Sequence, residues 1–192
     1  DSGLFERNLD DGLQRMDWAN ADTRKQEATT RGRLRGIGLA NYVERSGHGI
    51  TQDARLKAAP DGAVTIFIGT MSNGQGHETA YAQVASEFLG VGLEKITVVQ
   101  GDTDLIADGK GTGGSWSIPV GGAAIATASK VLIEKGKEIA SHLLEASVSD
   151  IDFVGGNFTV AGTDHTLTWD AVATSAHDPK QLPEGLSPGL EG

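Results

Sequence analysis

The sequence contains no cysteine among its 192 residues, and it carries few aromatic and few basic side chains. Without cysteine, there can be no disulfide, thiolate nucleophile, iron–sulfur ligation or cysteine-based zinc site within this sequence. Aromatic residues make up 5% of the chain, so a hydrophobic core must be largely aliphatic and rich in alanine. No apolar run approaches the ~18–20 residues that span a bilayer. The sequence therefore argues against cysteine-based redox and metal sites and against a membrane-spanning helix within these residues.

Positive charge is also scarce, and it is unevenly distributed. The chain has 16 Lys and Arg against 26 Asp and Glu, for a formal net charge of −10. Residues 1–60 are nearly balanced, whereas residues 61–192 have a net charge of −11 and contain no arginine. Such an acidic surface argues against nucleic acid and anionic membranes as partners. Any phosphate bound in the second half must therefore rely largely on backbone N–H groups.

Hydrophobic spacing predicts an α+β fold that has mixed or antiparallel sheet elements and packed helices. Residues 4–18 have helical spacing, residues 22–31 are polar and expected to form a loop, and residues 33–45 are expected to form a strand. Further strands are predicted at 54–58, 63–69 and 96–99, and a hairpin at 151–160. Helices are predicted at 77–89, from Pro119 to about 146, and at 168–176 with Thr168 as N-cap. Residues 178–192 read as a linker with little to bury.

Glycine is abundant, at 27 residues, and it concentrates in two loops that each precede a predicted helix. The first loop contains Gly74-Gln75-Gly76-His77, and the second contains Thr112-Gly113-Gly114-Ser115 followed by Ser117. The first turn of a helix offers unpaired N–H groups and the positive end of the helix dipole. Glycine lets an anionic oxygen approach these amides closely. An extended ligand with separated phosphate or carbonyl groups would fit this pair, although the loops could also be simple turns.

Standard catalytic and metal-binding motifs do not match. The region around Lys110 lacks the spacing of a phosphate-binding P-loop, and the loop at Gly74 lacks the third glycine of the dinucleotide fingerprint. The acidic run from Asp102 to Asp108 does not fit an EF-hand. The histidines at 48, 142, 165 and 177 are scattered. We therefore assign no catalytic residue and no metal ligand within this sequence.

The order and spacing of several motifs resemble one known family. They are Gly69-Thr70, Gly74-Gln75-Gly76-His77-Glu78-Thr79, Ala82-Gln83, Leu89-Gly90, Gly101-Asp102-Thr103-Asp104 and Gly111-Thr112-Gly113-Gly114-Ser115, with Asp1-Ser2-Gly3 and residues 31–40 upstream. This combination resembles the molybdenum-cofactor-binding large subunit of the xanthine dehydrogenase, aldehyde oxidase and carbon monoxide dehydrogenase family, most of all its bacterial carbon monoxide dehydrogenase-like branch. The resemblance covers roughly residues 1–175.

The resemblance implies that both loops contact a molybdopterin dinucleotide, of the cytosine form, in a molybdenum-dependent oxidoreductase. Gly74, Gln75, Gly76 and His77 would hold the phosphate and nucleotide portion. Thr112, Gly113, Gly114, Ser115 and Ser117 would lie beside the pterin and the metal. Trp116 departs from the pattern, because many bacterial relatives have arginine there.

The resemblance also implies how the chain is organised and where it works. Residues 1–177 would form part of a molybdopterin-binding domain, and 178–192 a truncated tail. The expected partners are the remainder of the large subunit, iron–sulfur and FAD subunits or domains, and a small-molecule substrate, in the cytoplasm. The family's catalytic glutamate belongs to a later motif, so we expect the 192 residues alone to lack hydroxylase activity. Two alternatives stay open: a non-catalytic interaction or subunit domain that keeps the fold without cofactor, and a sugar- or nucleotide-binding module.

Overall fold

The computed structural model describes residues 3–47 and 49–192, which divide into two compact units. The unit up to Glu44 contains helix α1 (Phe5–Arg15), a 3-10 turn (Trp18–Asn20) and helix α2 (Ala21–Thr30). Arg24 donates a hydrogen bond of 2.9 Å to the backbone oxygen of Met16 and pairs with Asp17, which joins the two helices of this unit. Asp1 and Ser2 of the upstream motif, and the histidine at position 48, lie outside the described residues.

Two sequence predictions in this region are wrong. Residues 22–31, expected to form a loop, are mostly helical in α2. The polar composition misled the prediction because only Ala21 and Ala28 of this helix are buried. Residues 33–45, expected to form a strand, are assigned neither to a helix nor to a strand among the described residues. Their side chains are mostly exposed, including Leu34 at 99% and Tyr42 at 79%.

The unit from Arg45 onward contains a four-stranded sheet with the order β3-β2-β1-β7. These strands are β1 (Ala54–Ala58), β2 (Val64–Ile68), β3 (Ile96–Val99) and β7 (Leu190–Glu191). β1 pairs antiparallel with β2 and β7, whereas β2 and β3 are parallel. The carboxyl ends of β2 and β3 therefore lie at the same edge of the sheet, next to the start of β1.

Three helices and a second sheet complete this unit. α3 (His77–Leu89) and α4 (Ala123–Leu143) cover one face of the first sheet, and α5 (Trp169–Ala176) packs on α4. The strands β4 (Ile151–Val154), β5 (Asn157–Val160) and β6 (Thr166–Thr168) form an antiparallel sheet. The core between these layers is mostly aliphatic, as expected, with fully buried Leu56, Ile66, Ile68, Leu89, Ile125, Leu132 and Ile139.

Most predicted elements from residue 54 onward are confirmed, and the differences are local. Gly90 ends α3 in the left-handed conformation, and the Thr168 hydroxyl accepts a hydrogen bond from the Ala171 amide as N-cap of α5. The long helix begins differently, because Ser117–Gly122 forms a π-helical segment before α4. Over residues 3–47 and 49–192, no helix is long and apolar enough to cross a bilayer.

The segment 178–192 is not the unpacked linker that its proline and glycine content suggested. Leu190 is fully buried, and β7 adds to the edge of the sheet beside β1. Backbone hydrogen bonds of 2.7 and 3.0 Å join Leu56 to Gly192. A single buried leucine within a polar stretch gave no periodic signal from which this strand could be predicted.

Candidate functional site

Two loops meet at the sheet edge where β2 and β3 end. The first loop, residues 69–76, connects β2 to α3, and the second loop, residues 101–116, connects β3 to the π-helical segment. The Gly111 amide donates a hydrogen bond of 3.2 Å to the Gly69 backbone oxygen. In sheets with parallel strands, this kind of edge is where ligands commonly bind.

The first loop leaves open space at the beginning of α3. Gly74 and Gly76 have φ values of 100° and 79°, and a Cβ atom at either position would have no neighbour within 4 Å. Residues 73–76 are exposed, and no side chain of the described residues caps the first turn of α3. The backbone N–H groups of this turn therefore have no side-chain acceptor among the described residues.

Gln75 and nearby side chains fix the shape of the first loop. The carboxamide oxygen of Gln75 accepts a hydrogen bond from the Asn73 amide. Gln100 accepts from the Ser72 amide at 3.1 Å and donates to the Glu78 carboxylate at 2.6 Å. Gln75 thus uses its oxygen within the loop and keeps its NH₂ group as a donor for a ligand.

His77 is the first residue of α3, and it is buried with only 2% of its surface exposed. Neither ring nitrogen has a hydrogen-bond partner among the described residues. A buried polar group without a partner typically costs about 1–3 kcal/mol. The unpartnered imidazole of His77 therefore lies at the start of α3, next to the open positions of Gly74 and Gly76.

Tyr81 forms hydrogen bonds that connect the two loops. It lies one turn into α3, its ring centroid is 5.0 Å from that of His77, and it is fully buried. Its hydroxyl oxygen is 2.6 Å from the Thr70 hydroxyl and 3.0 Å from the Ser117 backbone oxygen. Burial raises the pKa of Tyr81, and the hydrogen bonds with Thr70 and Ser117 offset part of that increase. The starts of α3 and of the π-helical segment are therefore adjacent.

The second loop is held together by its own side chains. Trp116 donates through Nε1 to the Gly111 backbone oxygen at 3.3 Å, and the hydroxyls of Thr112 and Ser117 bond to each other. A Cβ atom at Gly113 or Gly114 would lie 3.2 or 3.0 Å from the Trp116 indole. These glycines are thus explained by the packing of Trp116. The expectation that they leave space for a ligand is corrected on this face of the loop.

A cavity of about 450 Å³ lies beside the point where the loops meet. It is lined by Gly69, Met71, Gly101, Asp102, Thr103, Ile106, Ala107, Asp108, Gly109 and Gly111. None of the nine residues predicted from the sequence lines this cavity: Gly74, Gln75, Gly76 and His77 lie at the start of α3, and Thr112, Gly113, Gly114, Ser115 and Ser117 lie farther along the second loop. The predicted residues therefore lie at two helix starts, and the cavity is a separate feature beside them.

Sequence reasoning missed the residues that shape this cavity. A Cβ atom at Gly69 would lie 2.6 Å from the side-chain nitrogen of Gln52, and Gln52 is buried with its side-chain oxygen unpartnered among the described residues. Gly69 stood out as the end of a strand and as part of the Gly69-Thr70 motif but not as a site residue, and nothing in the sequence around Gln52 indicated a role. Among residues 3–47 and 49–192, no cluster of three or more His, Asp or Glu side chains could hold a metal ion.

This arrangement of a mixed sheet, two glycine-rich loops and an open start of α3 fits a cofactor-binding domain. The family model described as "Molybdopterin cofactor-binding domain" matches residues 11–189. The chain belongs to this family. It is 35% identical to the carbon monoxide dehydrogenase large chain of Hydrogenophaga pseudoflava, with 100% of this chain and 25% of the relative covered. It is 32% identical to the 6-hydroxypseudooxynicotine dehydrogenase complex subunit gamma of Paenarthrobacter nicotinovorans, covering 93% of this chain and 22% of the relative.

Solved structures show the same relationship. The Cu,Mo-CO dehydrogenase structure in the carbon monoxide reduced state superposes with a TM-score of 0.74 at 32% identity, over 100% of this chain and 26% of the other. Quinoline 2-oxidoreductase from Pseudomonas putida 86 superposes with a TM-score of 0.70 at 29% identity, over 99% of this chain and 26% of the other. The α+β fold expected from the sequence is confirmed. The chain spans about a quarter of the length of the relatives it matches.

Proposed function

We propose that this chain is the part of a molybdenum hydroxylase large subunit that holds a molybdopterin dinucleotide between its two glycine-rich loops. The observation that carries the proposal is the start of α3, where open glycine positions lie beside a buried His77 without a hydrogen-bond partner. The family match supports molybdopterin as the ligand. The assignment of individual residues to the cofactor is our own.

In this proposal, the first loop binds the phosphate and nucleotide portion. Gly74 and Gly76 leave the backbone accessible, and the amides at the start of α3 supply neutral donors together with the helix dipole. Gln75 adds its NH₂ group, and His77 adds a ring nitrogen. Because residues 61–192 contain no arginine, these uncharged donors take the place of cationic side chains.

In the second loop, fewer residues are free to contact the pterin than the sequence suggested. Ser115 is exposed, and a Cβ atom at Gly111 would meet no neighbour within 4 Å, so these positions can face the ligand. Thr112 and Ser117 bond to each other, and Gly113 and Gly114 pack on Trp116. We therefore assign these four residues mainly to shaping the loop.

The cavity between the loops suits a neutral ring better than a phosphate. Asp102 and Asp108 line it, and their carboxylates would repel an anion while accepting hydrogen bonds from N–H groups. A pterin carries such N–H groups. Placing the ring near this cavity and the phosphates near α3 therefore matches the charge of each region.

When bound in the full-length protein, the cofactor would supply a molybdenum centre for oxygen transfer coupled to two-electron oxidation of a small molecule. The residues of this chain bind and orient the cofactor, and the backbone of the first loop holds its charge. We assign no proton-transfer role to any residue here. Relatives named as a large chain and as a subunit gamma of a complex support the presence of partner subunits. The cytosine form of the dinucleotide, the iron–sulfur and flavin character of the partners and the cytoplasmic location are further parts of the proposal, which follow from the family resemblance.

The experiment compares two glycine variants in the full-length large subunit. Gly76→Val blocks the open start of α3, whereas Gly162→Val introduces the same residue at another positive φ with no neighbour within 4 Å, far along the chain. Molybdenum and released nucleotide are quantified in both purified proteins. We expect Gly76→Val to lose most of both and Gly162→Val to retain them. Equal, wild-type metal content in the two variants would contradict the proposal and favour a domain that keeps the fold without cofactor.

A further inference from the structure

Tyr81 stands out among the buried polar side chains because it touches three different elements. Its own helix is α3, its hydroxyl is 2.6 Å from Thr70 at the end of β2, and it is 3.0 Å from the backbone oxygen of Ser117. Thr70 is the second residue of the first loop, and Ser117 directly follows the second loop. One hydroxyl group therefore connects both loops of the candidate site.

The direction of these hydrogen bonds follows from their chemistry. A backbone oxygen can only accept, so the Tyr81 hydroxyl donates its proton to Ser117. That leaves the Thr70 hydroxyl as the donor to the Tyr81 oxygen. Each of the two hydroxyl protons is therefore assigned to one hydrogen bond. Thr70 donates to Tyr81, and Tyr81 donates to Ser117.

Close packing reinforces this connection. A Cβ atom at Gly121, in the π-helical segment, would lie 2.9 Å from the Tyr81 hydroxyl oxygen and 3.2 Å from Cδ1 of Ile68. Gly121 is buried, so the segment approaches α3 only because it has no side chain here. Ser117 is held twice, by its backbone oxygen to Tyr81 and by its hydroxyl to Thr112.

We propose that Tyr81 is a positioning residue whose hydroxyl fixes the separation between the two cofactor-binding loops. This inference rests on the proposed function, because the loops must bind a cofactor for their separation to matter. Without the hydroxyl, the Ser117 oxygen loses its side-chain donor and the Thr70 hydroxyl loses its acceptor. The second loop is then free to move away from α3, whereas the aromatic ring still fills the core.

The test uses four variants of the full-length large subunit. Tyr81→Phe and Thr70→Val each break the connection, Thr70→Ser keeps a hydroxyl donor, and Tyr42→Phe alters the other tyrosine, which is exposed. Hydrogen–deuterium exchange of cofactor-free protein reports on residues 109–122, and molybdenum content reports on cofactor binding. We expect Tyr81→Phe and Thr70→Val to raise exchange in that segment roughly tenfold, the equivalent of one lost hydrogen bond. Both should also lower molybdenum content several-fold relative to Thr70→Ser and Tyr42→Phe.

Several results would overturn the inference. Unchanged exchange over 109–122 in Tyr81→Phe would show that the hydroxyl does not hold the second loop. An equal rise in the remote hairpin at 151–160 would show a general loss of stability instead. Raised exchange over 109–122 together with full molybdenum content would show that Tyr81 does not position the loops for cofactor binding. If wild-type protein itself carries no molybdenum, the proposed function fails, and the exchange data still decide whether the hydroxyl joins the loops.

Discussion

Gly69, just after β2, and Gly109, in the second loop, approach each other so closely that Gly69 has no room for a side chain. A Cβ atom on Gly69 would lie 2.6 Å from the Cα atom of Gly109 and 2.4 Å from the Asp108 backbone oxygen. The same glycine accepts the backbone hydrogen bond from Gly111. This contact joins the first and second loops at the wall of the cavity, and the geometry of the candidate site depends on it.

Gly69→Ala should therefore separate the loops. The added methyl has no space, because it faces backbone atoms that cannot rotate away, and overpacking of this kind typically costs about 1–3 kcal/mol. We expect a lower urea midpoint for the 192-residue chain and reduced molybdenum content in the full-length subunit. Gly38→Ala is the control, since a Cβ atom there meets nothing within 4 Å. Equal stability of the two variants would contradict the packing argument.

Substitution of His77 should affect cofactor binding and stability in opposite directions. His77→Leu removes two buried nitrogens that have no partner within the described residues, so the cofactor-free chain should keep or gain stability. The same change removes a side chain that we propose binds the cofactor, so we expect less molybdenum in the full-length subunit. Thermal unfolding and metal analysis measure the two effects. A loss of stability together with unchanged metal content would mean that His77 serves only the fold.

Gly136 in α4 offers a test of the core that is independent of the cofactor. A Cβ atom there would lie 2.5 Å from Cζ of Phe158, so Gly136→Ala should destabilise the 192-residue chain by about 1–3 kcal/mol. Gly12→Ala, in exposed α1 with no neighbour within 4 Å, should instead stabilise by up to about 1 kcal/mol. Urea unfolding of both variants measures the difference. Similar effects in the two helices would argue against the close contact with Phe158.

The last strand gives a pH-dependent prediction. Lys57 contacts Glu191 at 2.8 Å across β1 and β7 and lowers the pKa of Glu191 below its ordinary value. A lowered pKa in the folded state stabilises above the unfolded pKa, and this contribution disappears as pH falls through the folded pKa. Both side chains are about half exposed, so the effect is at most about 1 kcal/mol.

Lys57→Gln should therefore be slightly less stable than wild type at pH 7 and equal to it once Glu191 is protonated. Urea unfolding of both proteins at pH 7 and at progressively lower pH measures the difference between their free energies of unfolding. Lys130→Gln is the control, because Lys130 forms no ion pair within the described part of the chain. If the difference in free energy of unfolding stays unchanged as the pH falls, the result contradicts the ion pair.

The elements with regular spacing could be predicted from the sequence. The alternation in Val64–Ile68 and the helical pattern of His77–Leu89 matched the structure because each element buries one face in the same core. Residues 33–45 show why the rest could not be predicted. They contain strand-forming side chains, but a strand requires a partner, and pairing is set by residues far away in sequence.

The sequence indicated where the two glycine-rich loops lie but only part of their geometry. Glycines at 74 and 76 left open space at a helix start, as their residue type suggests. Gly113 and Gly114 have the same residue type, but their space is filled by Trp116, which the sequence does not reveal. The role of Tyr81 was also hidden, because a tyrosine on a helix face gives no sign of the two hydrogen bonds that it makes across the fold.

The most direct test of the account is a crystal structure of the cofactor-loaded full-length subunit, with anomalous data collected at the molybdenum edge. We predict cofactor phosphate oxygens within hydrogen-bonding distance of the backbone amides at Gly76 and His77, and the pterin beside the second loop. A cofactor bound elsewhere in the subunit, with the start of α3 open to solvent, would contradict the central claim.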